Sequence, residues 1–523
     1  MLFHSLQFRG TFAFVVILVV TTTSAQQAGA QYNWVQDTDN SGMWADPAMW
    51  TGGAPSTYPN GVGVTATINA PTRTGGSGNY NLTMPASDVT VGSLTVDNTN
   101  HSNNFRSNFT NGGDEFRLIF ENSSGPATYT ETIGSAPGAT NSQYQFLGKV
   151  RLNSDLIIDQ DNYPNLNTGT IFANLVEGAP ERTITKEGHG GIQFNYNHFP
   201  TETPFQGQVV INQGGIRLIS VNPFSNVSGI TVNSGGQLML ADNANNNANT
   251  DWNLPPGAVL NLNGAGKATD SPQTVINPEG ALRFTVAQIA STSFNNPVVL
   301  QSDSVISVIS GPVMDLTATL AETISGPGGL TKHGTGTLIL GSASNSYSGD
   351  TTILSGGPLS ITGPFLSDDA DVHLTTGSIF NLNFSGSDTI RSLFVDGVPQ
   401  APGSYGAADL GGLLITGSGT LTVSALPPGL AGDYNQDGVV DAADYVVWRK
   451  NVGAMTLPNR GEGISGDVGE ADYNFWRSRF GDTLASGAGI GVSAAVPEPT
   501  GAFMALLGVA GIWAIAAKRE TSA

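Results

Sequence analysis

The chain has 523 residues, long enough for several domains or for one long repeat array with small modules attached. Only 12% of residues are charged while glycine numbers 67, and Asn, Thr and Ser crowd the spaces between short apolar runs, the texture of many short strands and turns. A net charge of −21 excludes sequence-blind phosphate recognition by clustered Lys and Arg, so no nucleic acid is expected as a partner; the absence of cysteine excludes disulfides, thiolate metal sites and cysteine nucleophiles.

The first 30 residues have the layout of a cleavable export signal. Arg9 precedes an apolar run over 12–20 and a small, polar stretch follows, with cleavage after Ala25 or Ala30. The run is shorter than the roughly 20 apolar residues a spanning helix needs. Residues 31–180 form an N-terminal β-rich region. Near its start, Trp34, Trp44 and Trp50 either stack on sugar rings or, the favoured reading, cap the first rung of a solenoid. From 79 to 180 the segment is β-rich without a fixed phase.

Residues 181–425 carry internal repeats. Ile216, Leu238, Leu260 and Leu282 fall 22 apart, with Leu218, Leu240, Leu262 and Phe284 two positions later. Leu338, Leu359 and Phe380, with Leu340, Ile361 and Leu382, keep a spacing of 21, and between the runs the phase is lost. Apolar residues at i and i+2 make one face of a strand. A constant rung predicts a mainly β fold: a right-handed parallel β-helix or solenoid, with antiparallel sandwiches as the alternative. Gly235, Gly280 and Gly356 precede strands where the chain must turn sharply.

The segment from Gly326 resembles the autotransporter-associated β-strand repeat through Gly329, Leu330, Lys332, Gly334, Gly336, Leu338, Leu340, Tyr347, Gly349, Thr351 and Gly357. A weaker copy begins at Thr183, with Lys186, Gly188 and Gly207 in matching roles. The resemblance implies a surface or passenger stalk and says little about chemistry.

After a linker at 426–432, residues 433–482 open on an EF-hand-like loop. Asp433, Asn435, Asp437, the Val439 carbonyl, Asp441 and Asp444 stand at positions 1, 3, 5, 7, 9 and 12, the oxygen set that suits Ca2+. Twenty-eight residues on, Asp472, Tyr473, Trp476, Arg477 and Gly481 answer Asp444, Tyr445, Trp448, Arg449 and Gly453. The duplication resembles a type I dockerin, a small α-helical calcium module, and implies a cohesin domain as a partner; a calcium-stiffened spacer is the other reading. Gly461, Gly463 and Ser465 stand where ligands belong in the second loop, leaving Glu462, Asp467 and Asp472 as a weak second metal site. The paired Tyr and Trp residues are expected to pack the two halves together.

A second linker, 483–495, leads to residues 496–523. Pro497, Glu498 and Pro499 precede an apolar run over 502–517 and the basic pair Lys518 and Arg519, the charge pattern of a short membrane helix with a cytoplasmic end. The arrangement resembles the PEP-CTERM sorting signal. That resemblance implies recognition by an exosortase, anchoring in the inner membrane through the C-terminal hydrophobic helix, and delivery to the cell surface or matrix.

Catalysis is not expected. Glu181, Glu187, Asp242, Asp251, Asp270 and Glu322 show no common spacing, and His189 and His333 read as turn residues. The expectation is a non-catalytic surface or matrix protein with a binding or adhesion body, extracellular polysaccharide being one candidate ligand. A cohesin-docked polysaccharide-processing component comes second, and a β-helical lyase or hydrolase third.

Overall fold

The computed structural model describes residues 29–482 with interruptions, the longest at 70–77, 134–142, 161–169, 196–204, 242–250 and 268–279; in the C-terminal module 436–438, 455 and 462–463 are also outside it. The expected export signal, apart from residues 29 and 30, and the expected sorting segment with Pro497, Glu498 and Pro499 therefore lie outside the described residues. Among the described residues no helix is long and apolar enough to cross a membrane.

The body is a solenoid-type stack of parallel strands. One ladder climbs through Gln31–Trp34, Thr65–Asn69, Ser93–Asn98, Ala127–Ile133, Leu156–Gln160, Thr183–Glu187 and Gln208–Ile211, each strand parallel to the next. A second ladder runs through Gln143–Leu152, Thr170–Val176, Gly191–Asn195, Gly214–Ile219 and Gly236–Ala241 and reaches Ser392–Val395. The 13-residue strand Val298–Ser310 belongs to both, so that the two ladders form one 29-stranded sheet. A separate seven-stranded sheet from Asp251–Trp252 to Ile415–Gly417 supplies a third face. The strands between 79 and 180, for which no phase was expected, join the first two ladders.

Leu338 pairs with Leu359 and Leu359 with Phe380, and Leu340, Ile361 and Leu382 do the same, so the 21-residue spacing is a true rung. All six side chains are buried, each resting on its equivalent one coil away.

The 22-residue run needs a correction. Ile216 pairs with Leu238, but Leu238 then pairs with Leu282, while Leu260 pairs with Ile230 and Val298 on the first ladder. Leu262 likewise sits between Val232 and Leu300. The coil here is enlarged by Asp251–Trp252 and Leu260–Gly264. Two-residue alternation identifies a strand with one buried face; it does not say which wall of a solenoid the strand occupies.

Gly235, Gly280 and Gly356 have φ of +94°, +94° and +133°, the left-handed backbone expected where each rung turns.

Antiparallel strands appear where the stack ends. Trp50–Gly52 folds back on Gln31–Trp34 at the N-terminal end, and Val398–Pro399 and Gly403–Tyr405 do so at the other, on Ser392–Val395 and Thr420–Val423. Trp34, Trp44 and Trp50 are buried there, with edge-to-face contacts of 4.8 Å between Trp34 and Trp50 and 5.0 Å between Trp44 and Trp50. The Trp44 indole donates to the Pro59 carbonyl and the Trp50 indole to the Trp44 carbonyl. Rings enclosed in this way cap the first rung and are not available to stack on a sugar.

Candidate metal centre and charge ladder

The C-terminal module is built on two short helices, α1 (Ala442–Asn451) and α2 (Glu470–Arg479). Asp441 caps α1 by accepting from the Ala443 amide, and Asp444 reaches back to accept from the Asp441 amide, a capping box. Asp472 accepts from the Gly469 amide at the start of α2. Basic residues in each last turn, Arg449 and Lys450, then Arg477 and Arg479, complement the helix dipoles.

The halves lock reciprocally. The Trp448 indole donates to the Gly469 carbonyl ahead of α2, and the Trp476 indole to the Asp441 carbonyl ahead of α1. The Gly453 amide donates to Val468 and the equivalent Gly481 amide to Val440. Tyr445, Trp448, Tyr473 and Trp476 form one aromatic cluster, with centroids 5.0 Å apart between Trp448 and Tyr473 and 5.6 Å between Tyr445 and Trp476. The expected packing between halves is present, although Tyr445 keeps one edge in solvent.

Asp433 and Asp444 of the first loop are both buried. The Asp444 carboxylate accepts from two backbone amides, Asn435 at 2.9 Å and Asp441 at 2.7 Å, and pairs with no cationic side chain among the described residues. A buried carboxylate is costly without a compensating cation. By residue type, Asp433, Asn435, the Val439 carbonyl, Asp441 and Asp444 are oxygen donors that suit a hard divalent ion; Asp437 lies outside the described residues.

In the second loop Glu462 lies outside the described residues and the Asp467 side chain is exposed. Asp472 is as buried as Asp444 but is paired: Arg460 Nε lies 2.5 Å from its Oδ1 and Nη2 2.8 Å from its Oδ2. Burial acts against its ionisation, yet the Arg460 hydrogen bonds and charge and the Gly469 amide hold its carboxyl below the usual range.

The body has a second cluster, missed by the sequence reading. Asp350, Asp371 and His373 bring ligand-type atoms within 4.8 Å of one another. Arg391 grips Asp371 through Nε at 2.8 Å and Nη2 at 2.6 Å, Asp350 accepts from the Asp371 amide at 2.8 Å, and the His373 ring stacks on Phe394. Burial works against ionisation of Asp350, but His373, the Asp371 amide and Arg391 keep its carboxyl below the ordinary range. A general acid needs the opposite shift. Asp388 does shift that way, pushed up to about 6 by burial with the Asp368 charge adding to it, while its Oδ2 accepts from the Leu366 amide. The 21-residue step from Asp350 to Asp371, the same as the leucine step, is the signal that would have found this charge ladder.

Of the scattered acids, Asp242 and Asp270 lie outside the described residues. Glu187 accepts from Asn212, and Asp251 accepts from Ser293, so both link neighbouring strands of the stack. His189 is exposed in its turn, and His333 closes the strand Leu330–His333 with its Nδ1 3.2 Å from Ser307 Oγ.

A family model described as the Passenger-associated-transport-repeat matches residues 330–361. Those residues cover the strands Leu330–His333, Thr337–Leu340, Thr351–Ile353 and Leu359–Ile361, which is more than one full rung. The chain is similar to the Adhesin BmaC autotransporter of Brucella suis biovar 1 (strain 1330), 25% identical over 456 residues that cover 80% of this chain and 12% of that protein. The chain thus spans about an eighth of that relative's length. No solved structure matches.

Proposed function

We propose that this chain is an exported, non-catalytic bacterial protein of the cell surface or extracellular matrix, whose solenoid is an adhesive or binding body. The observation that carries the reading is the stack itself. Strands from Gln31 to Val423 pair coil on coil, and charged groups such as Arg391 and Lys332 bond to neighbouring rungs, to Asp371 and to Gly357. Such a body offers length and outer surface, which is what adhesion asks for. The repeat match at 330–361 and the printed name of the similar adhesin support the same reading. Extracellular polysaccharide is the ligand class proposed for that surface.

The remaining parts follow as proposals. The first loop binds one Ca2+ through Asp433, Asn435, Asp437, the Val439 carbonyl, Asp441 and Asp444, coupling ion binding to folding of the module. Pro497, Glu498 and Pro499 are read by an exosortase-type enzyme while the C-terminal helix holds the chain in the inner membrane. A second reading, docking to a cohesin, is favoured by one feature: Val452 and Phe480, at equivalent ends of α1 and α2, are 50% and 56% exposed.

Protease shaving of intact cells with mass spectrometry tests the localisation. The reading expects peptides from residues 31–423 to be released from unbroken cells and the mature chain to lack 502–523. Body peptides recovered only after lysis would contradict it; a mature chain retaining 502–523 would replace sorting by a plain membrane anchor.

A further inference from the structure

The 28-residue repeat of the module gives each position of the first loop a counterpart in the second. Asp444 answers Asp472, the Val439 carbonyl answers the Asp467 carbonyl, and Asp433, Asn435 and Asp437 answer Gly461, Gly463 and Ser465. The second loop has lost its first three side-chain ligands but kept the carbonyl of position 7 and the closing carboxylate of position 12. Both converge on one side chain. Arg460 Nε and Nη2 hold the two oxygens of Asp472, Nη2 also lies 3.2 Å from the Asp467 carbonyl oxygen, and Nη1 lies 2.6 Å from the Gly466 carbonyl oxygen. A guanidinium is a planar, permanent cation with five N–H donors, suited to hold a carboxylate through two bonds while a spare N–H meets a carbonyl. In the first loop the position of Arg460 is taken by Gly432, and among the described residues the Asp444 carboxylate meets the backbone amides of Asn435 and Asp441.

We propose that Arg460 is a built-in cation that takes the place of calcium in the second loop, so that this half of the module is locked without metal. With the guanidinium bonded to these oxygens, its fixed positive charge opposes a calcium ion at the same place. The claim that the first half needs an ion rests on the calcium reading above; the claim about Arg460 stands apart from it. The consequence is a module with one responsive half and one permanently closed half, whose calcium response is confined to the loop at 433–444.

Hydrogen exchange read by mass spectrometry on the full chain, with calcium and with chelator, tests this. Arg460→Gln is expected to speed exchange across 464–479 by roughly tenfold or more even with calcium present, as the loss of one partner of a buried pair demands. Arg460→Lys, which keeps the charge and loses the fork, should fall between. In Asp444→Asn, added calcium should leave 464–479 unchanged. Unaltered exchange there in Arg460→Gln, or protection of 464–479 by calcium in Asp444→Asn, would overturn the proposal. If calcium fails to protect 433–451 in the wild type, the calcium reading falls, and the Arg460→Gln result still decides the role of Arg460.

Discussion

Lys332 and Lys186 occupy matching places in the two repeat copies, and both are fully buried. Lys332 Nζ donates to the Gly334 carbonyl at 2.6 Å and to the Gly357 carbonyl of the next rung at 3.0 Å, while Lys186 Nζ donates to the carbonyls of Glu187 and Gly188. The repeat lysine is thus a clamp on the glycine turn. Burial lowers the Lys332 pKa from 10.5 to about 7. Between those values the unfolded chain binds more protons than the folded one, so this residue makes stability rise with pH across that window, by at most about 1.4 kcal/mol per pH unit, and adds no slope below it. Denaturant midpoints measured from pH 6 to 10 should show that slope in the wild type and lose it in Lys332→Met; equal slopes would contradict the assignment. At Asp444 the charge argument runs the other way. Asp444→Asn removes the buried charge but keeps a single acceptor oxygen, so one of the Asn435 and Asp441 amides loses its partner; it should gain little helicity on adding calcium where the wild type gains clearly. The candidate loop stands out in the sequence because its oxygen-bearing residues alternate at fixed positions. Arg460 does not, since it stands outside the ligand pattern and meets Asp472 only after the chain folds back.

Among the elements, the strands of the 21-residue run were legible because each coil there has equal length. Leu359 is fully buried between Leu338 and Phe380 in that stack. Leu359→Ala should cost about 2–5 kcal/mol in chemical denaturation through lost burial and the cavity left behind; a change under 0.5 kcal/mol would argue against the register. The stretch from Leu260 to Leu282 was misread because the enlarged coil reproduces the same interval across two different walls. Polar stacking was hidden for a related reason. Asn212 donates to Glu187, Asn233 to Asn212 at 2.7 Å and Asn263 to Asn233 at 3.3 Å, a ladder over four strands whose sequence spacing is uneven. Uneven spacing leaves no period to detect, although in space the groups sit one strand above another.

For the molecule as a whole, a parallel stack has two ends that would otherwise offer unpaired strands and bare apolar rungs. The antiparallel strands and the buried tryptophans at the N-terminal end answer that need. Replacing Trp44, the fully buried member of that cluster, by alanine should cost about 3–5 kcal/mol and loosen the first rungs before the rest of the body, visible as exchange that begins in Gln31–Trp34. The charge of −21 keeps such long surfaces apart from one another. The central claim is that this surface binds without turning its ligand over. It is tested most directly by adherence of intact cells to polysaccharide-coated surfaces, comparing the wild type, a deletion strain and the deletion strain complemented with Asp350→Asn/Asp371→Asn. The account predicts that adherence falls on deletion and returns with the variant, with no soluble sugar released by any strain. Unchanged adherence on deletion, or sugar release that depends on Asp350 and Asp371, would contradict it.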